Sequence, residues 1–352
     1  MAGSRFGSGG QALLLKHMAF KGTTSRSDIR LARDVEEAGI SVGSDVGREQ
    51  LVISASGDPG AVLSTGTTAV AETLHSLKTV DWNLAEIKAD YVAKALRSIT
   101  PEQMLVEKIH AAAYGEESPL GQPLYTAGDD AVSGAALQAY LARAVAAPGA
   151  VTIVGAGGIS HADVVAQAEA LFGGFAVGDG APVVQSPFVG GYASHKLASS
   201  TTQVAVAIPG GALGSKEYAA ALVLKELLGE GGFIFAYSDT GMVGIAGSAA
   251  PAAAGVLVES FVATLTTPFA DATVFEAKAK AKTKMLLALE DATGAVGALA
   301  TAGAAAGDIE AVDAVTTSSI RALIAKAANP ALATVGSATY VPAYNTLAKK
   351  FC

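Results

Sequence analysis

Apolar and polar positions fall into helix-like and strand-like stretches that come twice in a similar order. Met104, Leu105, Ile109 and Ala112 to Ala113 recur at three-to-four spacing, which predicts a helix opening at Pro101 with Thr100 as its cap. A second helix carries Leu137, Tyr140, Leu141 and Val145 and ends at Pro148-Gly149. The apolar run Ala150 to Val154 then reads as a buried strand. Near the other end, Ile320, Leu323 and Ile324 lie on a helix, Asn329-Pro330 breaks it, and Ala331 to Val335 reads as a strand. Each strand stops at a glycine, Gly155 or Gly336. The chain reads as two copies of one unit.

The stretches between support this. Ala12 to Phe20 is apolar and helix-like, and Ser27 to Gly39 reads as a helix closed by its final glycine. Leu51, Ile53 and Ala55 alternate as in a strand. Asp58-Pro59-Gly60 then turns into a helix reaching about Leu77, followed by another helix over 83–99. Ser160 caps a helix over 161–172. After the aperiodic, Gly- and Pro-rich stretch 173–191 come a strand at Gln203 to Ile208, a helix at Lys216 to Leu228 and, from Phe233, a strand pair or one long bent strand. Three more helices, over 252–265, 271–290 and about 313–328, precede the last strand. This order predicts an α+β fold of two homologous domains, each an antiparallel-rich mixed sheet with helices packed on one face. The domains are expected at 1–175 and 192–352, with a linker at 176–191.

Composition narrows the function. The 352 residues suffice for two cores, and with aromatics at only 6% those cores must pack small side chains closely. A net charge of −8 excludes a nucleic-acid binder that works through a basic patch. Cys352 is the only cysteine, so an intramolecular disulfide or a cysteine-built metal site is impossible. Two uncharged runs, 197–215 and 240–258, are interrupted by Pro209-Gly210-Gly211 and by Pro251, unlike a Leu- and Ile-rich span. The chain is expected to be soluble. Its first 33 residues are basic and serine-rich like a mitochondrial targeting segment, but read better as a folded, solvated face of the first domain.

Candidate chemistry is sparse. The turn VTIVGAGGIS over 151–160 has Ser160 where a dinucleotide fingerprint needs its third glycine, and reads as a capped connection. His17 lies in LLLKHMAFKGT. A zinc hydrolase of the inverted type places H-x-x-E-H on one helix, so that two imidazoles a turn apart bind the metal and the Glu deprotonates its water. On that template Leu13 stands for the first ligand and Lys16 for the base. One imidazole beside an ammonium cannot hold a divalent cation, so the motif is degenerate at Leu13, Lys16 and His17. His75, His110, His161 and His195 are scattered, and Glu116-Glu117 and Asp129-Asp130 read as solvated loop acids. No catalytic, cofactor-binding or metal-binding residue is expected.

LLLKHMAFKGT nevertheless resembles the HFLEHMAFKGT-type segment of the insulinase-like, mitochondrial-processing-peptidase family. VEKIHAAAYGEESPLGQPLY, GAVTIVGAGGISH, AYSDTGMVGI and Trp82 with Ala85-Glu86 resemble one branch of it, the core protein II group of respiratory complex III. The resemblance runs through nearly the whole chain in order. It implies metalloprotease-like domains of processing-peptidase type facing each other across a cavity. It also implies a non-catalytic structural subunit without cofactors, paired with a core protein I homologue. That pair would sit peripherally on the matrix side of the mitochondrial inner membrane, under cytochrome b, the Rieske subunit and the cytochrome c subunit. The host is dimeric complex III, alone or within a supercomplex, and contact with the membrane runs through the complex alone. The alternative is a metal-free, substrate-binding subunit of a mitochondrial processing peptidase. MAGSRF resembles a segment that follows the family's first two strands, so those strands are expected to be missing. LLGEGG at 227–232 runs straight into FIFAYSD, where the peptidase's α subunit carries a long glycine-rich loop.

Overall fold

The computed structural model describes residues 5, 10–126, 132–146, 149–174, 184–302 and 305–351. They divide into two units, Met1–Ser98 with Pro123–Val184 and Ile99–Gln122 with Gln185–Cys352.

The first unit opens with α1 (Gln11–Met18), whose Ala12, Leu13, Leu14, Leu15 and Met18 are all buried. α2 (Asp28–Glu37) is capped by Ser27, which accepts a hydrogen bond from the Arg30 amide, and buries Leu31 and Val35. β1 (Ser41–Val46) and β2 (Leu51–Ser56) pair antiparallel, Ser41 opposite Ser56 and Val46 opposite Leu51. Two helices follow, α3 over 59–75 and α4 over 81–97, each with a π turn, at Val62–Gly66 and Lys88–Val92. α1 shares one apolar cluster with Leu84, Ile87 and Val92 of α4 and Leu137, Tyr140 and Leu141.

In the second unit, α5 (Pro101–Tyr114) carries the predicted cap at Thr100, completed by Gln103 as a capping box. Back in the first unit come α6 (Gly134–Ala146) and α7 (His161–Phe172). The remaining elements all belong to the second unit: β3 (Gly191–His195), β4 (Thr202–Pro209), α8 (Lys216–Leu227), β5 (Gly232–Ala236) and β6 (Gly241–Ala249). After them come α9 (Ala254–Thr266), α10 (Asp271–Glu290), α11 (Ala292–Ala302), α12 (Ala305–Asp313), α13 (Thr317–Ala325), β7 (Ala331–Val335) and α14 (Tyr344–Ala348). The sheet order is β3-β7-β4-β6-β5. Only β3 and β7 run parallel, so the sheet is mixed and antiparallel-rich, and the fold is α+β as the sequence order predicts.

Alternation along β4 sorts its residues between two layers. Val204, Val206 and Ile208 face the cluster built with Leu224, Val258, Phe261 and Leu323 of the helical layer. Ala205 and Ala207 join Leu105, Ile109, Ala112 and Ala113 of α5 on the other face, together with Ala331 and Ala333 of β7. Alanines on that face let the helix backbone approach the sheet closely, the close packing of small side chains that the composition calls for.

Several expectations change. Residues 99–122, read as part of the first domain, pack in the second unit, because the apolar side of α5 is matched by the alanine face of that sheet. Of the predicted linker, 176–183 lie outside the described residues, whereas Val189 and Gly190 donate to the Ala113 carbonyl at 2.8 and 3.1 Å. Residues 150–154, predicted as a buried strand, join no ladder among the described residues, and Ile153 is 41% exposed. An apolar run takes strand structure only when a neighbour offers its backbone groups. The predicted helix at 83–99 starts at Asp81 and the one at about 313–328 is confined to Thr317–Ala325.

No single helix among the described residues is long and apolar enough to cross a membrane. Pro251–Thr266 and Asp271–Glu290 reach the composition together but are bent by 100°. The two uncharged runs contain β4 and β6.

Candidate functional site

Residues 13 and 17 lie one turn apart on α1, the spacing a two-imidazole site needs. The structure uses the positions differently. The Leu13 side chain is 1% exposed and belongs to the apolar cluster of α1, α4 and α6. Lys16 Nζ pairs with Asp45 Oδ1 of β1 at 2.7 Å. The Ser44 hydroxyl donates to the Lys16 carbonyl at 2.6 Å, so neighbouring β1 residues hold both the side chain and the backbone of this turn. His17 is half-buried, and burial, then the Lys16 charge, push its imidazole below the ordinary histidine value. The ring is therefore neutral near pH 7, with an ammonium beside it rather than a carboxylate. Among the described residues, no three His, Cys, Asp or Glu side chains come together as a metal site would require.

The segment between α8 and β5 is a turn. Gly229–Gly231 forms one turn of 3-10 helix directly before β5. A Cβ on Gly231 would lie 2.5 Å from the Ala246 carbonyl oxygen, and one on Gly232 would lie 2.3 Å from that of Lys225. These glycines serve close backbone approach within the second unit.

Among the described residues, the glycine-rich 155–158 turn follows no hydrogen-bonded strand. Ser160 Oγ accepts from the Asp163 amide at 3.1 Å and donates to its Oδ2 at 2.6 Å. That is a helix cap, with Gly157 at φ 108 supplying the bend. A depression of about 450 Å³ is lined by Arg26, Asp34, Glu37, Ser64, Thr65 and Thr68. Arg26 is already neutralised by Asp34 at 2.7 Å and Glu72 at 2.9 Å. The hydrogen bond from Arg26 holds the Asp34 carboxyl below its ordinary value.

His75 and His161 are exposed and His195 half-buried. His110, by contrast, is 1% exposed. Its Nδ1 lies 2.6 Å from the Val106 carbonyl and its Nε2 2.5 Å from the Tyr237 hydroxyl. Sequence reasoning missed this pair, since nothing local joins residues 127 positions apart. Glu116 and Glu117 lie exposed in the loop after α5, while Asp129 and Asp130 lie outside the described residues.

Two family descriptions match the chain. "Insulinase (Peptidase family M16)" covers residues 2–128, and "Peptidase M16 inactive domain" covers 131–236. The chain is similar to the probable mitochondrial-processing peptidase subunit alpha-1 of Arabidopsis thaliana, 27% identical over 71% of this chain and 56% of that protein. It is similar to the probable subunit alpha-2 of the same plant, 26% identical over 97% of this chain and 77% of that protein. Similarity extends to the mitochondrial-processing peptidase subunit beta of Blastocladiella emersonii, 27% identical over 62% of this chain and 48% of that protein. The matches to subunits alpha-1 and beta span about half of those relatives' length.

Proposed function

The chain belongs to the insulinase-like M16 peptidase family, with homology to mitochondrial-processing peptidase subunits, and on that premise we propose that it is a non-catalytic structural subunit. The carrying observation is the Lys16–Asp45 pair, with Leu13 sealed in the core on the same helix face as His17. A hydrolytic zinc site needs a water-polarising metal and a base. Here the base position bears a cation engaged to β1, and the first ligand position bears a methyl-ended side chain.

Its host is a mitochondrial M16 pair, and we place it in respiratory complex III as the core protein II partner of a core protein I homologue. The short Gly229–Gly231 turn favours this scaffold role, since no long loop stands there to hold a peptide. The relatives favour a second reading, the metal-free subunit of a mitochondrial processing peptidase, because subunits alpha are among them.

Native separation of gently solubilised mitochondrial membranes, with mass spectrometry of the band holding this chain, decides between them. Co-migration with cytochrome b, the Rieske subunit and a larger M16 partner supports the complex III reading. Migration with a single zinc-bearing M16 partner overturns it in favour of the peptidase. A band without any M16 partner overturns both.

A further inference from the structure

The two units share a sequence of elements, and comparing them strand by strand exposes a vacancy of fixed shape. In the second unit the hairpin β5–β6 leads into a helix, further helices follow, and β7 closes the order. β4 stands between β6 and β7, antiparallel to both. In the first unit the hairpin β1–β2 leads into α3, further helices follow, and the apolar run 151–154 closes the order. The ends match as well. Gly155 follows the run as Gly336 follows β7, and in each unit the next loop returns to the helix after the hairpin. A Cβ on Gly158 would lie 3.3 Å from Pro59 Cγ, and one on Gly255 would lie 2.2 Å from the Tyr340 carbonyl oxygen. By this correspondence β1, β2 and 151–154 answer to β5, β6 and β7.

Among the described residues, nothing in the first unit answers to β4. Exposure follows. β7 is buried at every position, whereas 151–154 is half-buried or exposed throughout. The first five residues of β6 are buried, whereas β2 alternates between half-buried and exposed. Val52 and Ile153 are each 41% exposed. An open strand edge, and an apolar run that joins no ladder among the described residues, are each a template for a further strand.

We propose that this slot receives a strand from a separate polypeptide, inserted between β2 and 151–154 and antiparallel to both. Its chemistry follows from β4 (TQVAVAIP): extended, uncharged, with β-branched residues alternating with small ones. The β-branched residues would face the helical layer and the small ones the opposite side. Main-chain hydrogen bonds to both neighbours hold it, and the alternation fixes its register.

The test uses the whole chain and a fluorescent peptide carrying the residues of β4 between terminal lysines. Anisotropy reports binding, and hydrogen exchange reports which amides become protected. The expected result is saturable binding that protects amides in 51–56 and 151–154 and leaves 204–208 unchanged. Ile153→Pro, which removes one ladder donor at a half-exposed position, should weaken binding by about tenfold or more. Val52→Pro, on the other wall, serves where that variant does not fold. Two outcomes overturn the proposal. One is protection of 51–56 and 151–154 equal to that of 204–208 before any peptide is added, meaning that this chain fills its own slot. The other is binding that protects neither segment, or that both proline variants leave unchanged.

Discussion

His110 Nε2 lies 2.5 Å from the hydroxyl of Tyr237, and the two residues stand 127 positions apart. The tautomer follows from the other nitrogen. Nδ1 faces the Val106 carbonyl at 2.6 Å, and a carbonyl only accepts, so Nδ1 carries the proton and Nε2 accepts from Tyr237. Phe235 packs on the imidazole with ring centroids 4.9 Å apart. This contact fastens α5 to the β5–β6 turn and explains why residues 99–122 belong to the second unit.

Tyr237→Phe keeps the ring and removes the donor to a buried nitrogen. The expected loss is about 1–3 kcal/mol, because a buried acceptor loses its donor without gaining water. Urea unfolding measures it as a lower midpoint at unchanged slope. A Phe variant as stable as the parent would show that the pair does not anchor α5.

Two groups set the response to acid. His17 and Asp34 both have folded values below their ordinary 6.5 and 3.8. The unfolded chain then binds protons more readily than the folded one, so each contribution is complete above the ordinary value and is lost as pH falls through the folded one. The expected profile declines below pH 6.5 from His17 and again below 3.8 from Asp34. His17→Gln should flatten the first decline and leave the second, as read by thermal melts across pH. Equal slopes in variant and parent would remove His17 from the account.

Gly231 and Gly229 separate two reasons for glycine. Gly231→Ala would put a Cβ 2.5 Å from the Ala246 oxygen, a clash with ladder backbone, while Gly229 has φ 76 and open space around its Cβ. Gly229→Ala should cost about 1 kcal/mol from backbone strain. Gly231→Ala should cost about 1–3 kcal/mol, since the turn must shift. Thermal denaturation of the two variants gives the order, and the reverse order would argue for a looser turn than the contacts imply.

Legibility differed by element. The helix at Pro101 was legible down to its cap, because Thr100, Pro101 and Gln103 are local signals. β7 was legible because its five residues are buried on both faces by the chain's own elements. The similar run 150–154 is equally apolar, yet joins no ladder among the described residues, since periodicity reports what a segment can bury and not what it pairs with. The destination of α5 was hidden for the same reason: its apolar side fits any alanine-rich face, and the matching one lies in β4 and β7. At the site, the reading of Leu13 and Lys16 as unsuited to zinc rests on residue types alone. Asp45, which pairs with Lys16, came from a strand no spacing rule connects to it.

The last prediction concerns metal. A ligand that binds only the folded state raises stability by an amount that grows with the logarithm of its concentration over its dissociation constant. A single neutral imidazole at His17, with Lys16 beside it and Leu13 a turn away, offers one lone pair where zinc takes three or more protein ligands. Millimolar zinc, or a chelator, should therefore shift the melting temperature by less than about 1 °C, which for a chain of this size is about 0.7 kcal/mol or less. Lys16→Glu tests the geometry from the other side. It replaces the partner of Asp45 with a like charge at a pair whose carboxylate faces solvent, so the variant should fold with a loss of about 1 kcal/mol or less. It should remain insensitive to zinc, because Leu13 still closes the first ligand position. A zinc-dependent rise of several degrees in the parent chain would mean that ligands outside α1 complete a site, and would reopen hydrolysis as the function of this chain.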